Sequence, residues 1–101
     1  MAKFESIEKS VKNLPEKLTR EEVVRAIRLN IAAEHEAIFQ YEQLINSTDN
    51  QKVKKIAEDV RKDELRHVGN WEFALQLISE DDRDGIIEGA KEAEELIKGN
   101  K

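Results

Sequence analysis

Three polar residues stand where apolar ones are expected, and together they could hold a metal ion. Glu34 interrupts a row spaced by threes and fours: Val24, Ile27, Ile31, Glu34, Ile38, Tyr41, Ile45. Glu64 and His67 interrupt a second row: Val53, Ala57, Val60, Glu64, His67, Trp71, Ala74, Ile78. Such spacing marks the face a helix turns toward its neighbours, so these groups should be partly withdrawn from water. No Lys or Arg lies on either row to neutralise them. A carboxylate buried without a partner costs several kcal/mol, so a cation is expected nearby. Carboxylate oxygens suit hard cations, and an imidazole moves the preference toward iron, manganese or zinc.

The elements that must carry these residues are helices. The chain has 101 residues, one Pro, four Gly and no sustained strand-type alternation. Its charged and hydrophobic fractions are both 39%, as suits helices with one wet face. A first short helix is expected from Phe4, Ile7, Val11 and Leu14, ended by Pro15. Thr19 with Glu22 forms a capping box that opens a long helix running to about Asn46. The polar segment 46–50 is a turn, and Thr48 with Gln51 suggests another capping box. The next helix should reach about Ser79. Asp81, Asp82, Asp84 and Gly85 then read as a break. A last short helix would use Ile86, Ala90, Ala93 and Ile97 as its apolar face, with a fraying tail from Gly99.

The expectation is a single all-α domain over 1–101, with an antiparallel hairpin at about 20–79 as its core. In that hairpin the mean of positions 34 and 64 falls in the turn, so Glu34 and Glu64 share a level. His67 is three residues beyond Glu64, on the same face. Glu-x-x-His on one helix, with Glu on its neighbour, is the ligand pattern of di-iron carboxylate bundles. A full site of that kind takes four carboxylates and two histidines. One chain supplies half, and two copies across a twofold axis supply the rest. Two hairpin helices of about 40 Å also cannot bury a broad face against each other alone, so association is expected on packing grounds too. A solvated salt-bridge face is the plainer reading of Glu64 and His67 in so Glu-rich a chain. The seam positions, the level match and the missing counter-cation favour the metal.

Other classes are disfavoured. The net charge of −5 argues against nucleic-acid binding. No apolar run suits a membrane span or, at the start, a signal peptide. The chain has no Cys, which excludes disulfides and thiolate metal sites and fits a cytosolic origin. His35, the other histidine, lies off the seam. Tyr41 lies about 10 Å along the helix from Glu34, so at most it would support the ligands without touching the ion. The alternating charges between Lys52 and Arg66 read as a solvated helix face.

The stretch from Leu18 to about Asp81 resembles the encapsulated ferritins, carried inside encapsulin nanocompartments. The likeness rests on Glu34-x-Glu36-Ala37-Ile38-x-x-Tyr41, the Ser47-Thr48-Asp49 turn, and Asp63-Glu64-Leu65-Arg66-His67-Val68. Rubrerythrins and bacterioferritins share the ligand logic but carry two such hairpins per chain. The resemblance implies a hairpin whose dimer completes a four-helix ferritin-like bundle and a ferroxidase centre. The iron ligands and catalytic residues would be Glu34, Glu64 and His67, with two irons per dimer. It further implies that dimers form a ring, commonly a decamer, which oxidises Fe(II) with O2 while mineral accumulates in a cytoplasmic encapsulin shell. An outer acidic site, a place for calcium or zinc, would use Glu36, although Ala33 stands where an acid is often found. The tail from Glu94 to Lys101 shows no obvious shell-docking peptide. A rubrerythrin-like peroxide scavenger, or a non-enzymatic metal-binding assembly module, are the alternative functions.

Overall fold

The computed structural model describes residues 17–99. The helix expected around Phe4–Leu14, and the tail beyond Gly99, lie outside them. Three helices follow in order: α1 over Arg20–Ser47, α2 over Gln51–Ile78 and α3 over Glu80–Lys98. No strand occurs among the described residues, as the composition leads one to expect, and no helix is long and apolar enough to cross a membrane.

Local chemistry sets each helix end. Thr19 Oγ1 accepts from the Glu22 N–H at 3.2 Å, and Glu22 Oε1 accepts from the Thr19 N–H at 2.9 Å. This is the expected capping box, and its hydrogen bonds hold the Glu22 carboxyl below the usual range. The second expected box, Thr48 with Gln51, is not formed. Thr48 instead closes α1, its N–H donating to Leu44 O at 3.0 Å. Asn50 caps α2, its Oδ1 accepting from the N–H groups of Lys52 and Val53 at 3.0 and 3.1 Å. An Asn is at least as good a cap as a Thr, and α2 starts two residues later than a Thr48 cap would start it.

The hairpin of α1 and α2 is closely paired, each helix having 28 residues and a length of about 42 Å. Ile27, Ala33 and Ile38 from α1 are buried with Ala57 and Leu75 from α2. Ala33 and Leu75 flank the expected seams, and Val53, a seam member, is exposed. Arg61 bridges to Glu42 across the pair, Nε to Oε2 at 2.8 Å. This core is thin. Ile56, Phe73, Leu77 and Phe39 are each more than half exposed.

The break after α2 is not the acidic segment. It is Ser79 alone, which ends α2 through its N–H to Leu75 O and caps α3 through its side chain. Asp81, Asp82, Asp84 and Gly85 are helical, and α3 is 19 residues long. Carboxylates near a helix N-terminus complement the positive end of its dipole, so this cluster starts a helix as readily as it interrupts one. Gly99, at φ 77°, ends α3 in the left-handed conformation that suits glycine.

Side chains from α1 tie down the elbow. Arg20 Nε donates to Ile78 O at 2.8 Å, satisfying a carbonyl at the end of α2. Arg28 grips Asp82 with two bonds, Nη2 to Oδ1 at 2.6 Å and Nε to Oδ2 at 3.2 Å. Ser79 Oγ donates to the same carboxylate at 2.5 Å. Beyond this knot α3 packs lightly on α2 and buries none of its residues. The radius of gyration, 17.5 Å, exceeds the about 13 Å of a compact 100-residue domain.

The Arg28 guanidinium and the Ser79 hydroxyl hold the Asp82 carboxyl below its ordinary value of 3.8. A carboxyl lowered on folding stabilises the elbow above its unfolded pKa, and that contribution is lost as pH falls through the lowered folded value. The distance between spin labels at Gln40 and Lys91 should therefore stay narrowly distributed above pH 4 and broaden below it. Asp82→Asn should broaden it already at pH 7, with helix content unchanged.

Candidate metal centre

Glu34 lies in the middle of α1, Glu64 and His67 in the middle of α2. Equal helix lengths and a three-residue turn put these midpoints at one level, as the sequence leads one to expect. One ligand atom from each of the three residues lies within 4.8 Å of the others. His67 Nδ1 is 3.5 Å from Glu34 Oε2 and 3.5 Å from Glu64 Oε2. Those separations are too long for good hydrogen bonds. They lie just beyond the about 3.0–3.4 Å that separates two ligands held about 2.1 Å from one ion at an angle of about 90–110°.

Burial points the same way. The Glu34 and Glu64 side chains are 16% and 17% exposed, while His67 is 44% exposed. Glu34 Oε2 is buried and accepts no hydrogen bond. A half-buried carboxylate pair meets no Lys or Arg in any ion pair among the described residues; its one possible internal counter-charge is a protonated His67. The donor set, two carboxylates and an imidazole with an orphaned oxygen facing them, fits a divalent transition metal. The open side is the His67 side, that side chain being the most exposed of the three.

The remaining candidates separate from this cluster. His35 is exposed on α1 and takes no part in it. Glu36, half-buried, and Tyr41, half-buried two turns further along α1, also lie outside it. Among the described residues no further His or acid joins the three. The elbow residues Arg20, Arg28 and Asp82 have no counterpart in the sequence reading. Their partners lie more than fifty positions away, and only the paired helices bring them together.

Glu34→Gln tests whether the three groups face one another. An amide places an N–H donor among acceptors, so the metal-free protein should gain about 1 kcal/mol in a thermal or urea melt. Divalent metal binding, followed by calorimetry, should weaken at the same time. A melt unchanged by the substitution would mean that Glu34 is solvated.

Comparison with known proteins places this geometry. No protein-family model matches the chain. It is 33% identical over 91 residues, 90% of its length, to a ferritin-like–encapsulin shell fusion protein of Pyrococcus furiosus. It is 42% identical over 65 residues, 63% of its length, to the encapsulin nanocompartment cargo protein EncC of Myxococcus xanthus. The chain spans 26% of the first protein and 50% of the second. The crystal structure of the encapsulated ferritin domain from Pyrococcus furiosus superimposes with a TM-score of 0.79 at 33% identity. That match covers 83% of this chain and 86% of that one. A shared helical fold, with sequence identity maintained over nearly the whole of a solved domain, makes this chain a member of the encapsulated ferritin family.

Proposed function

We propose that this protein is a ferroxidase that oxidises Fe(II) with O2 at a di-iron site shared by two copies. The observation that carries the reading is the convergence of Glu34, Glu64 and His67 around a buried, unpartnered carboxylate oxygen. Each chain offers two carboxylates and one imidazole. Two chains then give four negative charges, enough to balance two divalent ions. The apolar side chains left exposed along the hairpin supply a surface for pairing.

The chemistry follows from the ligand charges. Fe(II) is the substrate; each ion gives up one electron, and O2 takes the electrons with protons from solvent. Anionic oxygen ligands stabilise the 3+ ion more than the 2+ ion, so Glu34 and Glu64 draw the reaction toward Fe(III). His67, the most exposed of the three, completes the donor set at the edge where the second copy would meet it. Iron released as Fe(III) suits storage, and the relatives named for encapsulin point to an encapsulin shell, within the cytoplasm, as the compartment and partner. Paired copies arranged in a ring, ten subunits by the family resemblance, are part of the same proposal. Glu36 as an outer cation site and a single domain over 1–101 also remain part of it.

Substituting the three residues tests the assignment. His67→Ala or Glu64→Ala should slow aerobic Fe(II) oxidation by more than the about 10–100-fold typical of residues that merely support ligands. Circular dichroism should show helicity intact. His35→Ala should leave the rate unchanged. Wild-type oxidation by His67→Ala would refute the site. Metal binding without O2 consumption would instead favour the non-enzymatic module, and peroxide consumption in its place the scavenger.

A further inference from the structure

An apolar groove lies at the root of the hairpin, where α1, α2 and α3 meet. Arg20 and Val23 of α1, Leu77 and Ile78 of α2, and Glu80 and Arg83 of α3 line it, and its volume is about 550 Å³. Leu77 is 73% exposed there. Apolar surface continues from this corner along both arms. Phe73 stands one turn before Leu77 on α2, and Ile87 one turn after Arg83 on α3, so each shares its neighbour's face. Both are more than half exposed.

The chain carries a complement to this corner close by. Arg20, the first residue of α1, lines the groove and donates from Nε to Ile78 O at 2.8 Å. Leu18 and Val23 occupy the two positions around the Thr19 cap that pack as a hydrophobic staple, and both are half-buried. A staple fixes the angle at which the chain enters a helix, and Val23 is itself a wall of the groove. Ahead of Leu18 the sequence places Phe4, Ile7, Val11 and Leu14 at the spacing of one helical face. Pro15 disfavours helical backbone at Leu14, so such a helix would not run on into α1. Pro15 to Leu18 then form a connector of the usual length between two packed helices.

Reach and concentration select the occupant. Arg20 is six positions after Leu14, and a fully extended chain spans at most about 3.6 Å per residue, or about 22 Å in all. Leu14 can therefore touch the root of the hairpin and not its tip, about 40 Å away. So short a tether holds the segment at an effective concentration in the millimolar range, which a second copy matches only in very concentrated solution. Charge offers no obstacle. Lys3, Lys9 and Lys12 balance Glu5, Glu8 and Glu16, so the segment meets the acidic first turn of α3 without net repulsion.

We infer that the groove at the elbow takes residues 4–14 of its own chain, with Phe4, Ile7, Val11 and Leu14 against Phe73, Leu77 and Ile87. The segment lies in the angle between hairpin and α3, adding an apolar brace to the polar clamp of Arg28 on Asp82. Leu77 is ten positions beyond His67 along α2, about 15 Å. The brace therefore acts on the angle of α3 and not on the metal ligands.

Cross-linking within one chain tests it, because the chain has no Cys of its own. Protein of all 101 residues carrying Ile7→Cys and Leu77→Cys together is treated with a short bis-maleimide, digested and read by mass spectrometry. An equimolar mixture of the two single variants is treated alongside. The expected result is a link between positions 7 and 77 in the double variant, in protein that runs as a monomer, and about tenfold less of it in the mixture. Equal yield in the mixture would give the groove to a second copy and overturn the inference. Absence of the link from both would overturn it as well. Hydrogen exchange provides a readout that leaves the groove itself unaltered. Ile7→Asp with Val11→Asp should speed exchange of the amides of residues 83–90 by about tenfold, with the hairpin still helical by circular dichroism. Unchanged exchange would overturn the inference. None of these changes touches Glu34, Glu64 or His67, so failure here leaves the proposed metal site standing.

Discussion

Two carboxylates held half-buried at one level of a helical hairpin, with no lysine or arginine among the described residues to neutralise them, are the constraint on which the rest depends. Isolated charges in a partly dry seam cost several kcal/mol, and a domain's whole stability is only about 5–15 kcal/mol. A cation at the site would account for the burial of Glu34 and Glu64 beside each other. The imidazole of His67, 3.5 Å from one oxygen of each carboxylate, would favour a transition metal over a hard alkaline-earth ion. The hairpin is built to hold that level. Its helices are equal in length, its turn is short and capped by Asn50, and Arg61 with Glu42 pins the pair between the site and the turn.

The same hairpin is short of core. Five apolar residues are buried among those described, while larger ones such as Phe73, Leu77 and Ile56 lie open. Under the proposed shared site, a half-complete ligand set and a half-covered apolar surface are two expressions of one deficit. If ligands from both copies share the ions, as proposed, metal binding and association become a single free-energy change. Chemistry and assembly would be inseparable in such a protein.

Much of this was legible in the residues. Helical periodicity identified α1 and α2 within a residue or two at their ends, because a seam of apolar residues is a strong signal over 28 positions. Glu34, Glu64 and His67 stood out because each broke that seam. Where the reading failed, local signals competed. Thr48 and Asn50 are both good caps, and two adjacent hydrogen-bond geometries decided for Asn50. Acidic residues with Gly85 resemble a loop, yet the same acids stabilise a helix start, so the boundary fell at Ser79 instead. The burial of Ala33 and Leu75, and the elbow made by Arg20, Arg28 and Asp82, arise from packing between distant segments. No local pattern encodes those contacts.

The central claim is that the metal site belongs to two chains, and anaerobic titration with Fe(II) followed by native mass spectrometry tests it most directly. The account predicts a monomer or weak dimer without metal, and a dimer or multiple of it carrying two irons per pair of chains once Fe(II) is bound. A protein that stays monomeric while binding two irons per chain would contradict it.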